Sequence, residues 1–296
     1  MRKLQFFSLA VAIMLFGMAM PISAQDTSGD VALTISRTPC FGSCPIYTVT
    51  VYEDGTVVYE GTDFVDVTGT QTIQIEPETV DLLVNSFVEA GYFEWDDSYT
   101  TMAVTDMPSV ITSVTFEGET KQINHYRGTD NAPLALSYLE IWLDNMLVTS
   151  QWTGSSPQFP ASTFDETQTP IITLQRAACF GFCPVYDLVL YSDGSVVYVG
   201  YRNVEVVGVQ IDQIDTSSVE SLADQMALYG YFDWQDAYTE RFITDQATVI
   251  TSLNWRDQFK RIERYDGDPN APIGLVRLED QIDFAVNVSQ WVGNNG

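Results

Sequence analysis

Four cysteines stand out among the residues that could do chemistry, because a cysteine pair can form a disulfide, bind a metal ion or exchange electrons. They lie in two matching segments, Cys-Phe-Gly-x-Cys-Pro, with one pair at Cys40 and Cys44 and the other at Cys179 and Cys183. The glycine in each segment can adopt the backbone conformations that a small loop requires. In an exported protein we expect disulfides, and duplication of the segment favours Cys40–Cys44 and Cys179–Cys183.

A metal or thiol-redox site is the alternative for these segments. The Cys-x3-Cys-Pro spacing resembles the copper-binding loop of exported cytochrome oxidase assembly proteins, which add a distant histidine as a third ligand. The chain has a single histidine, His125, and its equivalent in the second half of the chain is Arg264, so at most one half could complete such a site. We expect His125 to be an ordinary, partly exposed histidine, and we predict no metal and no cofactor.

A duplicated acidic segment offers a second kind of chemistry. Paired carboxylates can act as acid and base on a saccharide, and carboxylate oxygens can bind calcium. The spacing matches no recognised calcium loop, and Asp and Thr side chains that bond nearby backbone amides would explain the same residues. We assign no catalytic residue, and the candidate binding residues are Trp95, Asp97, Tyr99 and Asp106 with their equivalents Trp234, Asp236, Tyr238 and Asp245.

A tandem duplication organises these residues. Cys179 follows Cys40 by 139 positions, and Trp291 follows Trp152 by the same interval. So long a period indicates duplication of a whole domain rather than a short solenoid repeat. The predicted boundaries are a first domain at 31–154, a linker rich in Pro and Ser at 155–169, and a second domain at 170–293.

Each copy is predicted to contain four strands, a helix, two strands and a second helix. Asp54-Gly55 lies between two strand-like segments and is a strong hairpin signal. The predicted elements of the first copy are strands at 31–36, 46–52, 57–59 and 65–75, a helix between Pro77 and Gly91, strands at 110–116 and 121–126, and a helix after Pro133. The order ββββαββα predicts an α+β fold, with two helices packed on one face of an antiparallel sheet.

The N-terminus predicts export. Arg2 and Lys3 precede an apolar run at 4–20, and Ala24 is the small residue that a signal peptidase requires, so we predict a signal peptide at 1–24. No later run is apolar for long enough to span a membrane, and we expect no integral membrane segment after cleavage. The expected location is periplasmic, cell-surface or secreted.

The charge of the chain restricts its partners. The 13 Lys and Arg residues against 40 Asp and Glu residues give a formal net charge of −27. Nucleic acids and anionic membranes repel such a chain, because binding to phosphates depends on clustered Lys and Arg. We therefore predict no nucleic-acid partner and expect an acidic, soluble monomer.

The cysteine segments also carry a family resemblance. In the first copy it rests on Arg37, Thr38, Pro39, Cys40, Phe41, Gly42, Cys44, Pro45, Tyr47, Tyr52, Asp54, Gly55, Val57, Tyr59 and Gly61, and on Thr105-Asp106-Met107-Pro108. These residues resemble the signature of a bacterial exported domain of unknown function, number 6438, in two tandem copies. The second copy departs from the pattern at Ala177-Ala178 and Gln246-Ala247. The resemblance implies an exported α+β module and implies no activity.

These observations favour a non-enzymatic binding or interaction module at the cell envelope or outside the cell. Its expected ligand is a protein or a polysaccharide, since recurring aromatic residues anchor both kinds of interface. Two alternatives remain open. One is a copper or thiol-redox protein that uses the cysteine loops, and the other is a carboxylate-based hydrolase that acts on saccharides.

Overall fold

The chain forms the same seven-stranded unit twice. In both sheets the first four strands of the copy lie side by side in reverse order along the chain, and the remaining three continue the sheet from the first strand. The predicted signal peptide and most of the predicted linker lie outside the part of the chain that this computed structural model describes, which comprises residues 29–101, 105–155, 169–241 and 243–293.

The elements of the first copy are β1 (Val31–Arg37), β2 (Ile46–Tyr52), β3 (Thr56–Asp63), β4 (Gly69–Gln74), α1 (Pro77–Glu89), β5 (Ser98–Tyr99), β6 (Ser109–Phe116), β7 (Glu119–Tyr126), α2 (Leu134–Met146) and α3 (Ser150–Thr153). Those of the second copy are β8 (Pro170–Arg176), β9 (Val185–Tyr191), β10 (Ser195–Arg202), β11 (Gly208–Gln213), α4 (Thr216–Leu228), β12 (Ala237–Tyr238), β13 (Thr248–Trp255), β14 (Gln258–Tyr265), α5 (Ile273–Ala285) and α6 (Ser289–Val292).

The predicted α+β order ββββαββα is confirmed in both copies, with three short additions. The two-residue strands β5 and β12 pair in parallel with β7 and β14. Neither sheet is therefore wholly antiparallel, and the prediction of an antiparallel sheet is wrong at this edge. A one-turn helix, α3 or α6, ends each copy. A 3₁₀ helix, at Tyr92–Glu94 or Tyr231–Asp233, follows the first helix of each copy. All three additions are too short to leave a periodic pattern in the sequence.

The predicted hairpin at Asp54-Gly55 is present between β2 and β3. The Asp54 carboxylate accepts a hydrogen bond from the backbone N–H of Thr56 at 2.9 Å, which closes the turn. Gly55 has a φ of +84°, and a Cβ atom there would lie 2.1 Å from the backbone oxygen of Ile75. The turn therefore requires glycine both for its conformation and for its close contact with the end of β4.

The two copies pack directly on each other through α2. The Trp142 indole N–H donates to the Gly200 carbonyl on β10 at 3.1 Å, and the hydroxyls of Tyr138 and Tyr191 are 2.6 Å apart. Valines from the second sheet belong to the same buried core as α1 and α2. The layers therefore alternate as first sheet, α1 and α2, second sheet, α4 and α5.

Differences between the repeats produce this stacking. On the outer face of the first sheet, Thr50 is partly exposed and Glu60 is exposed. Their equivalents in the second copy, Val189 and Val199, are fully buried against the first copy's helices. The strands β9 and β10 of the second sheet are thus buried on both faces and mostly apolar, as is typical of strands that are covered on both sides.

Candidate functional site

Both predicted disulfides are present, Cys40–Cys44 and Cys179–Cys183, each at a sequence separation of 4. They close the loops between β1 and β2 and between β8 and β9. The phenylalanines inside these loops point into solvent, with exposures of 88% for Phe41, 86% for Phe180 and 91% for Phe182. Each copy therefore presents apolar rings on a covalently closed loop.

Hydrogen bonds fix the first loop to the segment that precedes β6. The backbone N–H of Phe41 donates to the Asp106 carbonyl at 3.1 Å. The backbone N–H of Thr38 donates to the Ser109 carbonyl at 3.0 Å, and the Ser109 N–H donates to the Thr38 hydroxyl at 2.7 Å. Phe41 is consequently held by the disulfide and by these backbone contacts together.

A buried Arg-Tyr-Asp cluster lies at the base of the first loop. Arg37 and Tyr47 are cross-strand partners on β1 and β2, and Asp144 comes from α2. The Arg37 Nε donates to Asp144 Oδ2 at 2.8 Å, and the Tyr47 hydroxyl donates to Asp144 Oδ1 at 2.7 Å. Burial and the Asp144 carboxylate raise the pKa of Tyr47 far above its usual value, so its phenol remains a donor.

The second copy repeats the cluster with Arg176, Tyr186 and Asp283. The Arg176 Nε donates to Asp283 Oδ2 at 2.9 Å, and the Tyr186 hydroxyl donates to Asp283 Oδ1 at 2.8 Å. Burial raises the pKa of the Asp283 carboxyl, while both donors oppose that rise. Sequence reasoning did not find this cluster, although each of its members recurs at the repeat interval.

A cavity opens beside the Arg-Tyr-Asp cluster in each copy. The first has a volume of about 340 Å³ and is lined by Arg37, Cys44, Pro45, Tyr47, Met107, Pro108, Arg127, Ile141, Thr153 and Ser155. The second has a volume of about 450 Å³ and is lined by Arg176, Pro184, Tyr186, Asp280, Asp283, Val288, Ser289, Val292 and Gly293. Volumes of this size suit small organic ligands or single side chains of a partner.

His125 is buried, with 3% of its surface exposed, which corrects the expectation of a partly exposed histidine. Its Nδ1 lies 2.7 Å from Glu140 Oε1, and Arg127 Nη1 donates to Glu140 Oε2 at 3.2 Å. The buried carboxylate of Glu140, on α2, requires hydrogen-bond partners. His125 on β7 and Arg127, just after β7, supply them. In the second copy Arg264 takes the place of His125 and contacts the equivalent carboxylate of Glu279.

The structure places Trp95, Asp97 and Tyr99 away from the disulfide loops, at the β5 edge of the sheet. Asp97 is 82% exposed at its side chain and pairs with Lys121 at 2.8 Å. The Tyr99 ring is buried and its hydroxyl accepts a hydrogen bond from the Asp96 N–H at 2.9 Å. Trp95 is half-buried against the core.

The equivalent residues of the second copy behave in the same way. Asp236 pairs with Lys260 at 2.8 Å, with a side chain that is 85% exposed. The buried Tyr238 hydroxyl accepts a hydrogen bond from the Gln235 N–H at 3.0 Å, and Trp234 is half-buried. In both copies this candidate segment lies along one edge of the sheet and contains one exposed ion pair, Asp97–Lys121 or Asp236–Lys260.

Asp106 and Asp245 are the candidate residues that the structure does bring to the disulfide loops. The Asp245 carbonyl accepts a hydrogen bond from the Phe180 N–H at 3.3 Å, as the Asp106 carbonyl does from the first loop. The two carboxylates of the first copy have different neighbours: Asp97 pairs with Lys121 at 2.8 Å, and Asp106 Oδ2 accepts a hydrogen bond from the Thr105 hydroxyl at 3.2 Å.

The described parts of the chain contain no cluster of side chains that could bind a metal ion. Among residues 29–101, 105–155, 169–241 and 243–293, no group of three or more His, Cys, Asp or Glu side chains is arranged to hold an ion. The thiols of the cysteine segments are consumed in the disulfides. In the same residues, no helix is both long enough and apolar enough to cross a membrane.

A duplicated α+β domain with one disulfide-closed loop in each copy defines the class of this protein. The chain belongs to the family described as Domain of unknown function (DUF6438), whose profile matches residues 31–147 and 170–286. The family resemblance noted in the sequence is thereby confirmed for both copies. No curated protein is significantly similar to the chain.

Proposed function

We propose that this protein is an exported, non-enzymatic binding protein that engages a protein partner through its two disulfide-closed loops. The observation that carries the proposal is the exposure of Phe41, Phe180 and Phe182, each 86% or more, on loops held by a covalent bond. A rigid loop loses little conformational entropy on binding, so a buried ring contributes more of its apolar surface to affinity. Aromatic anchors of this kind dominate protein interfaces.

The ring type favours a protein partner over a polysaccharide. Phenylalanine has no hydroxyl or N–H group with which to bond a hydrated sugar, and it fits best in an apolar pocket of a partner. The formal net charge of −27 adds long-range attraction for a partner with a basic surface.

Export and the absence of catalysis are supported by separate observations. The predicted signal peptide at 1–24 and the two disulfides are both typical of proteins that fold outside the cytoplasm. Against a carboxylate-based hydrolase, Asp97 already pairs with Lys121 and Asp106 accepts a hydrogen bond from the Thr105 hydroxyl, so each of these carboxylates has a structural role.

Photo-cross-linking in cells that express the protein tests this function. Benzoylphenylalanine replaces Phe41, Phe180 or Phe182, and Phe284 serves as the matched control because it is 87% exposed and lies on α5. We expect one discrete protein adduct from the loop positions and none from position 284. Equal adducts at all positions, or none at the loops, would refute the proposal, and an adduct that a glycosidase digests would assign the partner to polysaccharides.

A further inference from the structure

The cavity of the first copy holds two arginines whose donors are only partly used. Arg37 uses Nε and Nη2 for Asp144, and Arg127 uses Nη1 for Glu140. Among the described residues, nothing accepts a hydrogen bond from Arg37 Nη1 or from Arg127 Nε or Nη2. Both side chains line the cavity, so these free donors are available to a ligand there.

The two guanidinium groups also repel each other. Burial lowers the pKa of Arg127, Glu140 opposes that change, and the nearby charge of Arg37 adds to it. An arginine keeps its proton at physiological pH, so the repulsion persists in the folded protein. An anion that entered the cavity would meet donors from both side chains and reduce this repulsion.

The remaining walls of the cavity are mostly apolar. Met107, Pro108 and Ile141 form part of its wall. The nearby Asp144 carboxylate already accepts hydrogen bonds from Arg37 and Tyr47. A small inorganic anion would leave these walls in contact with water. A ligand that combines a carboxylate with an apolar group satisfies both halves of the cavity.

We propose that the cavity of the first copy binds a carboxylate borne on an apolar group. Arg37 and Arg127 hold the carboxylate in this arrangement, and Met107, Pro108 and Ile141 cover the apolar part. The site lies beside the first disulfide, since Cys44 is in its wall, but its chemistry is independent of the exposed phenylalanines and goes beyond their proposed function.

The second copy supplies an internal comparison. The equivalents of Arg127 and Ile141 are Asp266 and Asp280, and Asp280 lines the second cavity together with Asp283. Carboxylates at these positions repel an anionic ligand, so the second cavity cannot serve the same ligand class. The replacement of Met107-Pro108 by Gln246-Ala247 changes the cavity wall at the same place.

Phenylacetate is the probe for this site, with phenylacetamide and acetate as the matched neutral and non-aromatic compounds. Binding to the mature protein is followed by the methyl NMR resonance of Ile141, which lines the cavity. We expect a saturable shift with phenylacetate and an affinity at least about tenfold weaker for each comparison compound. Equal affinity for the amide would overturn carboxylate recognition, and the absence of a saturable shift would overturn the site.

Variants locate the binding within the cavity. Arg127→Gln should weaken phenylacetate binding by about tenfold or more, whereas Arg256→Gln, at a side chain that is 72% exposed, should leave it unchanged. If Arg127→Gln fails to fold, Met107→Gln with Pro108→Ala provides the test, because these residues are already present in the second copy. Unchanged binding in that double variant, or equal losses in the Arg256 control, would refute the assignment.

Discussion

Replacing Asp187 with asparagine should make the stability of the protein less sensitive to pH. Asp187 lies on β9, on the face that packs against the first copy, and its equivalent there is Thr48. It is 7% exposed, and the Tyr201 hydroxyl donates to its Oδ2 at 2.8 Å. Burial raises its pKa to about 7, although bonds from Tyr201 and Gln175 lower it.

The size of the effect follows from the difference between the folded and unfolded pKa values. An unfolded aspartate has a pKa of about 3.9, so the difference is about 3 units, or about 4 kcal/mol at 1.36 kcal/mol per unit. The folded state keeps a proton that the unfolded state releases between about pH 4 and pH 7, so the free energy of unfolding falls as pH rises through that window. Asparagine does not titrate, so the free energy of unfolding of the Asp187→Asn variant does not include this pH-dependent decrease.

Urea unfolding measured by tryptophan fluorescence at several pH values between about 4.5 and 8 provides the assay. The free energy of unfolding of Asp187→Asn, minus that of the wild type, should increase by about 3 kcal/mol across this pH range. Asp81→Asn, at an exposed residue of α1, makes the same change in charge and controls for the general acidity of the chain. A difference that stays constant across this range, or an equal rise in the control, would refute the reasoning.

Three further predictions concern the loops, the cluster beneath them and the contact between the copies. Cys40→Ser with Cys44→Ser should lower the free energy of unfolding by about 2 kcal/mol, the loop-entropy value for so short a loop, and a larger loss in chemical denaturation would show that the loop also organises its surroundings. Tyr47→Phe removes a donor to buried Asp144 and should cost about 1–3 kcal/mol in the same measurement, whereas a neutral effect would mean that the carboxylate is satisfied without it. Trp142→Gln introduces the residue found in the second copy and should cost about 3–5 kcal/mol by differential scanning calorimetry, and a loss below about 1 kcal/mol would contradict the direct packing of the two copies.

Local signals in the sequence predicted the elements of each copy. The hairpin turn at Asp54-Gly55 depends only on residues within the turn. Pro77 and Gly91 mark the two ends of α1 as predicted. Each disulfide joins cysteines four positions apart, so duplication alone favoured the correct pairing. These features depend on neighbours in the chain and are therefore visible in the sequence.

The candidate site could not be predicted because its members are distant in the chain. Arg37 and Asp144 are separated by 107 positions and meet only when α2 packs on the sheet. His125 becomes buried because Glu140, 15 positions away, folds over it. Periodicity identifies which face of an element is apolar, but it does not identify the charged group that the opposing element supplies.

The repeats already contained the signal for the stacking of the two copies. In β9 an unbroken apolar run extends from Leu188 to Tyr191, whereas β2 alternates threonine with valine. A strand that is apolar on both faces needs two covering layers, and a single copy supplies only one. Comparison of the two copies position by position, rather than as one average pattern, would have predicted the contact.

The contact between the copies joins two different surfaces of one domain type, a helix face and a sheet face. Such a heterologous contact, if repeated between molecules, would generate an open-ended fibre. The two free faces carry different residues from the joined ones: Glu60 is exposed on the free sheet, and Arg277 and Gln281 stand on the free helix where Tyr138 and Trp142 form the internal contact. Divergence after duplication has therefore made the two halves unequal, and neither half would remain well covered if it were separated from the other.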